Sequence, residues 1–163
     1  LSSERETAKA AFLASHGYGA WRREPLAGDA STRAYERLHG PDGVSLIFMD
    51  QPPSAETTPC PPDATPAQRI ALGYNASARL AAGRVDAFIA CAGFLRDRGL
   101  SAPEIVAADP GAGLAVLEDL GDDLYAALIA DGRDEAPLYD RAIDALVQLH
   151  QASPLPVLEA QGS

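Results

Sequence analysis

Two short β-forming runs, Ala34–His39 and Val44–Met49, are separated by Gly40-Pro41-Asp42-Gly43. A proline and two glycines within four residues mark a tight reversal, so the two runs are expected to pair antiparallel. A second unit of the same kind follows, with Pro103–Ala108 and Leu114–Glu118 flanking Pro110-Gly111-Ala112-Gly113. Upstream, Trp21–Ala27 forms a further run, interrupted by Pro25, which suits a sheet edge. Val44–Met49 combines β-branched and aromatic apolar residues and is expected to be buried. Between the first two strands lies Gly28-Asp29-Ala30-Ser31-Thr32, a run of small and polar turn formers.

The remaining segments have helical signals. Ser3 and Glu6 have the spacing of a capping box, Ala8, Ala11 and Phe12 follow at helical spacing, and Gly17 ends the pattern. Residues 51–66 hold six of the 13 prolines and read as a loop. Thr65-Pro66-Ala67-Gln68 is a capping box with proline at the first helical position, so a helix is expected from Pro66 to about Leu80. A second runs from Val85 to Arg98, with Val85, Phe88, Ile89, Ala92 and Leu95 on one stripe and Gly99 as its stop. After Gly121, Asp122 or Asp123 is expected to cap a short helix to Ala130. The last helix is expected over Pro137–Gln151, with Leu138, Ala142, Leu146, Leu149 and His150 on one broad face and His150 buried there. Helix, three strands, two helices, hairpin and two helices make an α+β layer arrangement with a five-stranded antiparallel sheet.

Charge narrows the function classes. Thirteen basic residues stand against 23 acidic ones, for a net charge of −10. That balance argues against nucleic acid and against anionic membrane surfaces, both of which call for clustered cations. Cys60 and Cys91 have no metal-ligand spacing and form no CxxC pair. With no signal-like N-terminus, a reducing cytoplasm is the expected location. Of the basic residues, Lys9 is the single lysine and the other 12 are arginine. Chemistry that requires a buried lysine therefore uses Lys9 or does without.

The order of elements is that of a protein-kinase-like N-terminal lobe. Five segments make the likeness more specific: Gly28–Tyr35, Phe48-Met49-Asp50-Gln51-Pro52-Pro53, Gly99–Ile105, Leu117-Glu118-Asp119-Leu120-Gly121-Asp122 and Leu146-Val147-Gln148-Leu149-His150. In order and spacing they resemble the aminoglycoside phosphotransferase and choline kinase superfamily, and within it the bacterial kinases of cell-wall amino sugars. The resemblance covers about residues 5–155 and implies an N-lobe over 1–118, a hinge at 119–121 and, over 122–163, the first helices leading into a catalytic lobe. It implies ATP and magnesium as cofactors and an amino-sugar hydroxyl as acceptor. By the same resemblance Gly28, Asp29, Ala30, Ser31, Thr32 and Arg33 form the nucleotide phosphate loop, while the Glu118 carbonyl and the Leu120 amide face the adenine. Small residues let backbone amides approach phosphate oxygens, and hydroxyls add donors. Taken alone, the loop reads as an ordinary strand connection, since it has one glycine and no GxGxxG; the order of the other segments favours the phosphate loop.

Two departures qualify the resemblance. Kinase-like sites place a lysine on the third strand and pair it with a glutamate from the next helix. Here Met49 or Asp50 stands in that stretch, and no glutamate occurs between Glu56 and Glu104. Phosphate charge would then fall to Arg33, Arg37, backbone amides and magnesium, with Arg79, Arg84 and Arg96 as weaker candidates. No HxD…N loop is present either, so neither catalytic residues nor metal ligands are assigned within the chain. The sequence leaves three readings: the ATP-binding lobe of a small-molecule kinase, which is the one expected; an inactive free-standing lobe acting as an interaction module; or an α+β domain unrelated to kinases in which the Gly28 loop binds nothing.

Overall fold

The computed structural model describes residues 2–27, 33–52, 63, 65–71 and 84–151. Five strands form one antiparallel sheet, β1 Arg22–Pro25, β2 Ala34–His39, β3 Ser45–Asp50, β4 Ile105–Asp109 and β5 Leu114–Glu118. Their order is β1-β2-β3-β5-β4. The helices are α1 Ser2–Ser15, α2 Pro66–Ala71, α3 Val85–Arg96, α4 Tyr125–Ala130 and α5 Glu135–Gln151.

Both predicted reversals form. Pro41–Gly43 make a single 3-10 turn with Asp42 at φ 58°, and the Gly40 amide donates to the Val44 carbonyl at 2.8 Å. In the second hairpin the Gly113 amide donates to the Pro110 carbonyl at 3.2 Å. β1 is the edge, and it is shorter than the predicted Trp21–Ala27. Trp21 instead packs edge-on against Tyr18, ring centroids 5.0 Å apart.

Alternation along the strands divides the sheet into two faces. One face carries the row Glu36, Phe48 and Val116 with the flanking Leu38 and Leu114, and α1 covers it with Phe12 and Leu13. Phe48, Leu38 and Val116 are fully buried, each side chain contributing about 1.5–3 kcal/mol. The opposite face carries Tyr35, Met49 and Ala115 in one row and Arg37, Ile47 and Leu117 in the next. There α3 packs with Val85, Phe88 and Ile89, on the stripe its spacing predicts.

The inward side of α1 differs from the expectation. Lys9, Phe12 and Leu13 are buried, while Ala8 and Ala11 are exposed. Nor does the Ser3–Glu6 box form: Ser3 lies inside the helix and the Glu6 carboxylate accepts from Lys9. Its stop is as read, since Gly17 at φ 85° lets the Tyr18 amide reach the Leu13 carbonyl and its own amide reach Ala14. Gly99 closes α3 in the same way, through Leu100 to Leu95, two residues earlier than expected. At α2 the Thr65–Gln68 box forms in both directions; the rest of its expected span, 72–80, lies outside the described residues, as does most of the proline-rich loop.

Two expectations near the C-terminal helices are corrected. Neither Asp122 nor Asp123 caps α4: its N-cap is Leu124, with no side-chain cap bond. On α5, Leu138, Ala142 and Leu149 are partly buried, but His150 and Leu146 are exposed. Tyr139, Ile143, Leu146 and Val147 form an apolar row open to solvent. One helix can bury only the stripe it turns toward its neighbour, and the second stripe of α5 has none among the described residues.

Candidate functional site

On the α3 side of the sheet is a pocket of about 500 Å³, within the range of small-molecule sites. Its lining combines Leu26 and Ala27 after β1, Tyr35 and Arg37 of β2, Ile47 of β3, Phe88 of α3, Pro103, and the chain leaving β5 from Leu117 to Asp122, with Leu124. Strand alternation explains this choice, because Tyr35, Arg37, Ile47 and Leu117 share one face. The pocket is thus an apolar slot with a main-chain segment along one side.

That segment is held by charge. The Arg37 guanidinium donates to Asp119 through Nε at 2.8 Å and to Asp122 through Nη1 at 3.0 Å and Nη2 at 2.7 Å. Asp119 also accepts from the Gly121 amide at 3.0 Å. Hydrogen bonds to Asp122 and Asp119 push the guanidinium pKa up. Burial raises the Asp119 carboxyl, but bonds from the Ser45 hydroxyl and the Gly121 amide, with the Arg37 charge, outweigh it and leave it below the ordinary value. Arg37 is therefore engaged by two carboxylates, not presented as a phosphate ligand. This corrects the expectation placed on it and explains why Asp122 is absent from the helix cap.

The other sequence candidates are distributed as follows. Glu118 lines the pocket, but its side chain turns away, accepting from the Glu104 amide at 3.0 Å and from Arg96 at 3.5 Å. Leu120 also lines it, with an exposed side chain. Gly28, Asp29, Ala30, Ser31 and Thr32 lie outside the described residues. Their flanks are at the pocket: Ala27 lines it, and the Arg33 guanidinium stands 5.4 Å from the ring centroid of Phe88, which also lines it. Arg84, a weaker phosphate candidate, is a half-buried partner of Asp86, donating from Nε at 2.8 Å. Arg79 lies outside the described residues.

The third strand resolves the lysine question. Met49 points toward α3 and is completely buried with Val85, Ala115 and Leu117. Asp50 points the other way, toward α1, where Arg5 donates to it from Nε at 3.0 Å. Lys9 lies on that same far face, its ammonium 2.7 Å from both Glu36 and Glu6 and 3.6 Å from Asp50. Arg23 completes the set, 2.5 Å from Glu36. Sequence reasoning missed this network. Its members come from α1, β1, β2 and β3, and the one signal was a cation on the line that also carries Phe12 and Leu13.

Comparison with known proteins gives the class: the chain belongs to the phosphotransferase enzyme family, whose sequence profile matches residues 22–161. Its sheet and packed helices are the α+β arrangement of a kinase-like N-lobe. Over all 163 residues it is 71% identical to the N-acetylmuramate/N-acetylglucosamine kinase of Caulobacter vibrioides, of which it covers 45%. It is 31% identical over 136 residues, 83% of the chain, to the protein of the same name from Pseudomonas aeruginosa, covering 32% of it. The chain spans less than half the length of these curated relatives.

Proposed function

We propose that the chain is the ATP-binding lobe of a small-molecule kinase that transfers the γ-phosphate of ATP to a hydroxyl of an amino sugar. The observation that carries this reading is the pocket of about 500 Å³ bordered by the Leu117–Asp122 chain in a member of the phosphotransferase enzyme family. In this reading residues 1–118 form the lobe, 119–121 the hinge, and 122–163 lead into a second lobe. Adenine lies between Leu26, Ile47 and Leu117, with the Glu118 carbonyl accepting from it and the Leu120 amide donating to it. The phosphates lie under the Gly28–Arg33 loop. Backbone amides, the Ser31 and Thr32 hydroxyls and the Arg33 charge meet them there.

The described residues do not fit a magnesium site. They contain no group of three His, Cys, Asp or Glu able to hold a metal ion; of the acids lining the pocket, Asp119 and Asp122 are engaged by Arg37 and Glu118 by Arg96 and the Glu104 amide. We assign magnesium and the base that takes the acceptor proton to the second lobe. The apolar row on α5 supports a further packed layer, and so does the greater length of the relatives. Both relatives are named as amino-sugar kinases, which favours that acceptor class. A cytoplasmic location goes with the use of ATP; among the described residues no helix is long and apolar enough to cross a membrane.

The test is a coupled ADP-release assay on the full-length protein with N-acetylglucosamine, N-acetylmuramate, an aminoglycoside, choline and homoserine. ADP release that depends on the amino sugars is expected. Release with another acceptor alone overturns the substrate assignment, and absence of ATP binding overturns the lobe assignment.

A further inference from the structure

We infer that Arg37 is a positioning residue for the nucleotide: it fixes the chain leaving β5 so that its main-chain groups face the pocket. The inference rests on the reading that this chain holds the adenine. The geometry is a bridge between distant parts of the sequence. Arg37 sits in the middle of β2, and its partners lie 82 and 85 residues away. One guanidinium spans both ends of the turn from Asp119 to Asp122, and the Gly121 amide closes the turn on Asp119 from within. Gly121 adopts φ 80° at the centre of that turn. Without a cation at this place two carboxylates would face each other across the pocket wall, and the turn would open toward solvent.

The partners differ in exposure. The Asp119 side chain is 6% exposed and the Asp122 side chain 79%. Asp119 is therefore the anchor, and Asp122 an outer tie that can be removed without disturbing the interior. A main chain held in place before ligand arrives costs less to order on binding, which raises affinity with no new contact. The effect acts on the base and is shared by every adenine ligand, whether or not it has phosphates.

The full-length protein and its Arg37→Gln and Asp122→Asn variants are titrated calorimetrically with adenosine and with ATP, and steady-state kinetics are recorded. Arg37→Gln is expected to weaken adenosine and ATP by the same factor, about tenfold for a lost charged hydrogen-bond set. KM for ATP rises in step while kcat at saturating ATP holds. Asp122→Asn shows a smaller shared loss, about threefold, and provides the reading should Arg37→Gln fail to fold. A loss confined to ATP overturns the inference and makes Arg37 a phosphate ligand; unchanged affinities in both variants overturn it as well. A wild-type protein that binds ATP but shows no adenosine binding overturns the adenine reading itself and the inference with it.

Discussion

Replacing Lys9 by methionine tests whether the single lysine is structural. Its side chain is 7% exposed, and its ammonium touches Glu36 and Glu6, with Asp50 at the edge of contact. Removing one partner of an isolated buried pair costs about 3–5 kcal/mol, because the other charge is left uncompensated. Here none of the three carboxylates is left alone, since Glu6 keeps Arg23 at 3.2 Å. Glu36 keeps Arg23 at 2.5 Å and Asp50 keeps Arg5. Methionine also preserves the aliphatic stem that packs near Phe48, above whose ring the ammonium stands at 5.8 Å. What is lost is the charged hydrogen bonding, about 1.5–3 kcal/mol. For a domain of this size that lowers Tm by about 3–12 °C. Thermal and urea unfolding of the 163-residue chain measure it, and a cycle with Glu36→Gln isolates the pair. KM for ATP, taken on the full-length protein, stays within about twofold, since Lys9 and the pocket lie on opposite sheet faces and distant sites act independently. A stability loss below about 0.5 kcal/mol, the scale of an exposed pair, would refute the network. A rise in ATP KM without any loss of stability would return the lysine to phosphate binding.

Three further outcomes are expected. Met49→Lys destabilises the chain by about 3 kcal/mol or more and leaves ATP affinity no better, because the new charge would be buried against the apolar Val85, Ala115 and Leu117; denaturant melts and ATP titration check both. In Glu36, burial pushes the carboxyl up, but hydrogen bonds from Arg23 and Lys9 prevail and leave it below the ordinary value, as Asp119 also is. Such groups bind protons less readily when folded, so Tm is expected to be flat above about pH 5 and to fall steeply below about pH 4; a Tm that rises as pH falls toward 4 contradicts this. Arg33→Ala in the full-length protein raises KM for ATP about tenfold, the scale of one charged contact to phosphate, and unchanged kinetics remove Arg33 from the phosphate site.

Strands were the most readable part of the chain, for a local reason. Turn chemistry at Gly40–Gly43 and Pro110–Gly113 acts over four residues, and β2 and β5 have the bounds read from the sequence. Helix stops at Gly17 and Gly99 were legible because a left-handed residue at C′ is a local requirement. The inward side of α1 was not. Its buried line begins with a lysine, and hydrophobic periodicity has no means of selecting a cation whose partners are on its own helix and on two strands. Asp122 failed as a cap for a similar reason. A local rule offered it a helix N-terminus, but an arginine 85 residues away offered two hydrogen bonds and a full charge, which is the stronger partner. The apolar side of α5 was over-read, because a stripe that is apolar in sequence stays exposed until something packs on it.

The cations, taken together, bear on how this lobe meets phosphate charge. The usual strand lysine and its helical glutamate form one buried pair, and losing either alone would leave an unpaired charge in the interior. Here both are gone, and the place of the lysine is filled by Met49 packed on Val85 and Leu117. That replacement forms a continuous apolar contact between β3, β5 and α3, so the lobe is rigid there without an ion pair. Three cations elsewhere are engaged by carboxylates: Lys9 by Glu36, Arg37 by Asp119, Arg84 by Asp86. Arg33 differs in where it stands, on the ring of Phe88 at the pocket and directly after the Gly28–Thr32 segment. In the proposed reading an arginine there would meet phosphate beside the Gly28–Thr32 segment, whereas a strand lysine would approach it from the sheet.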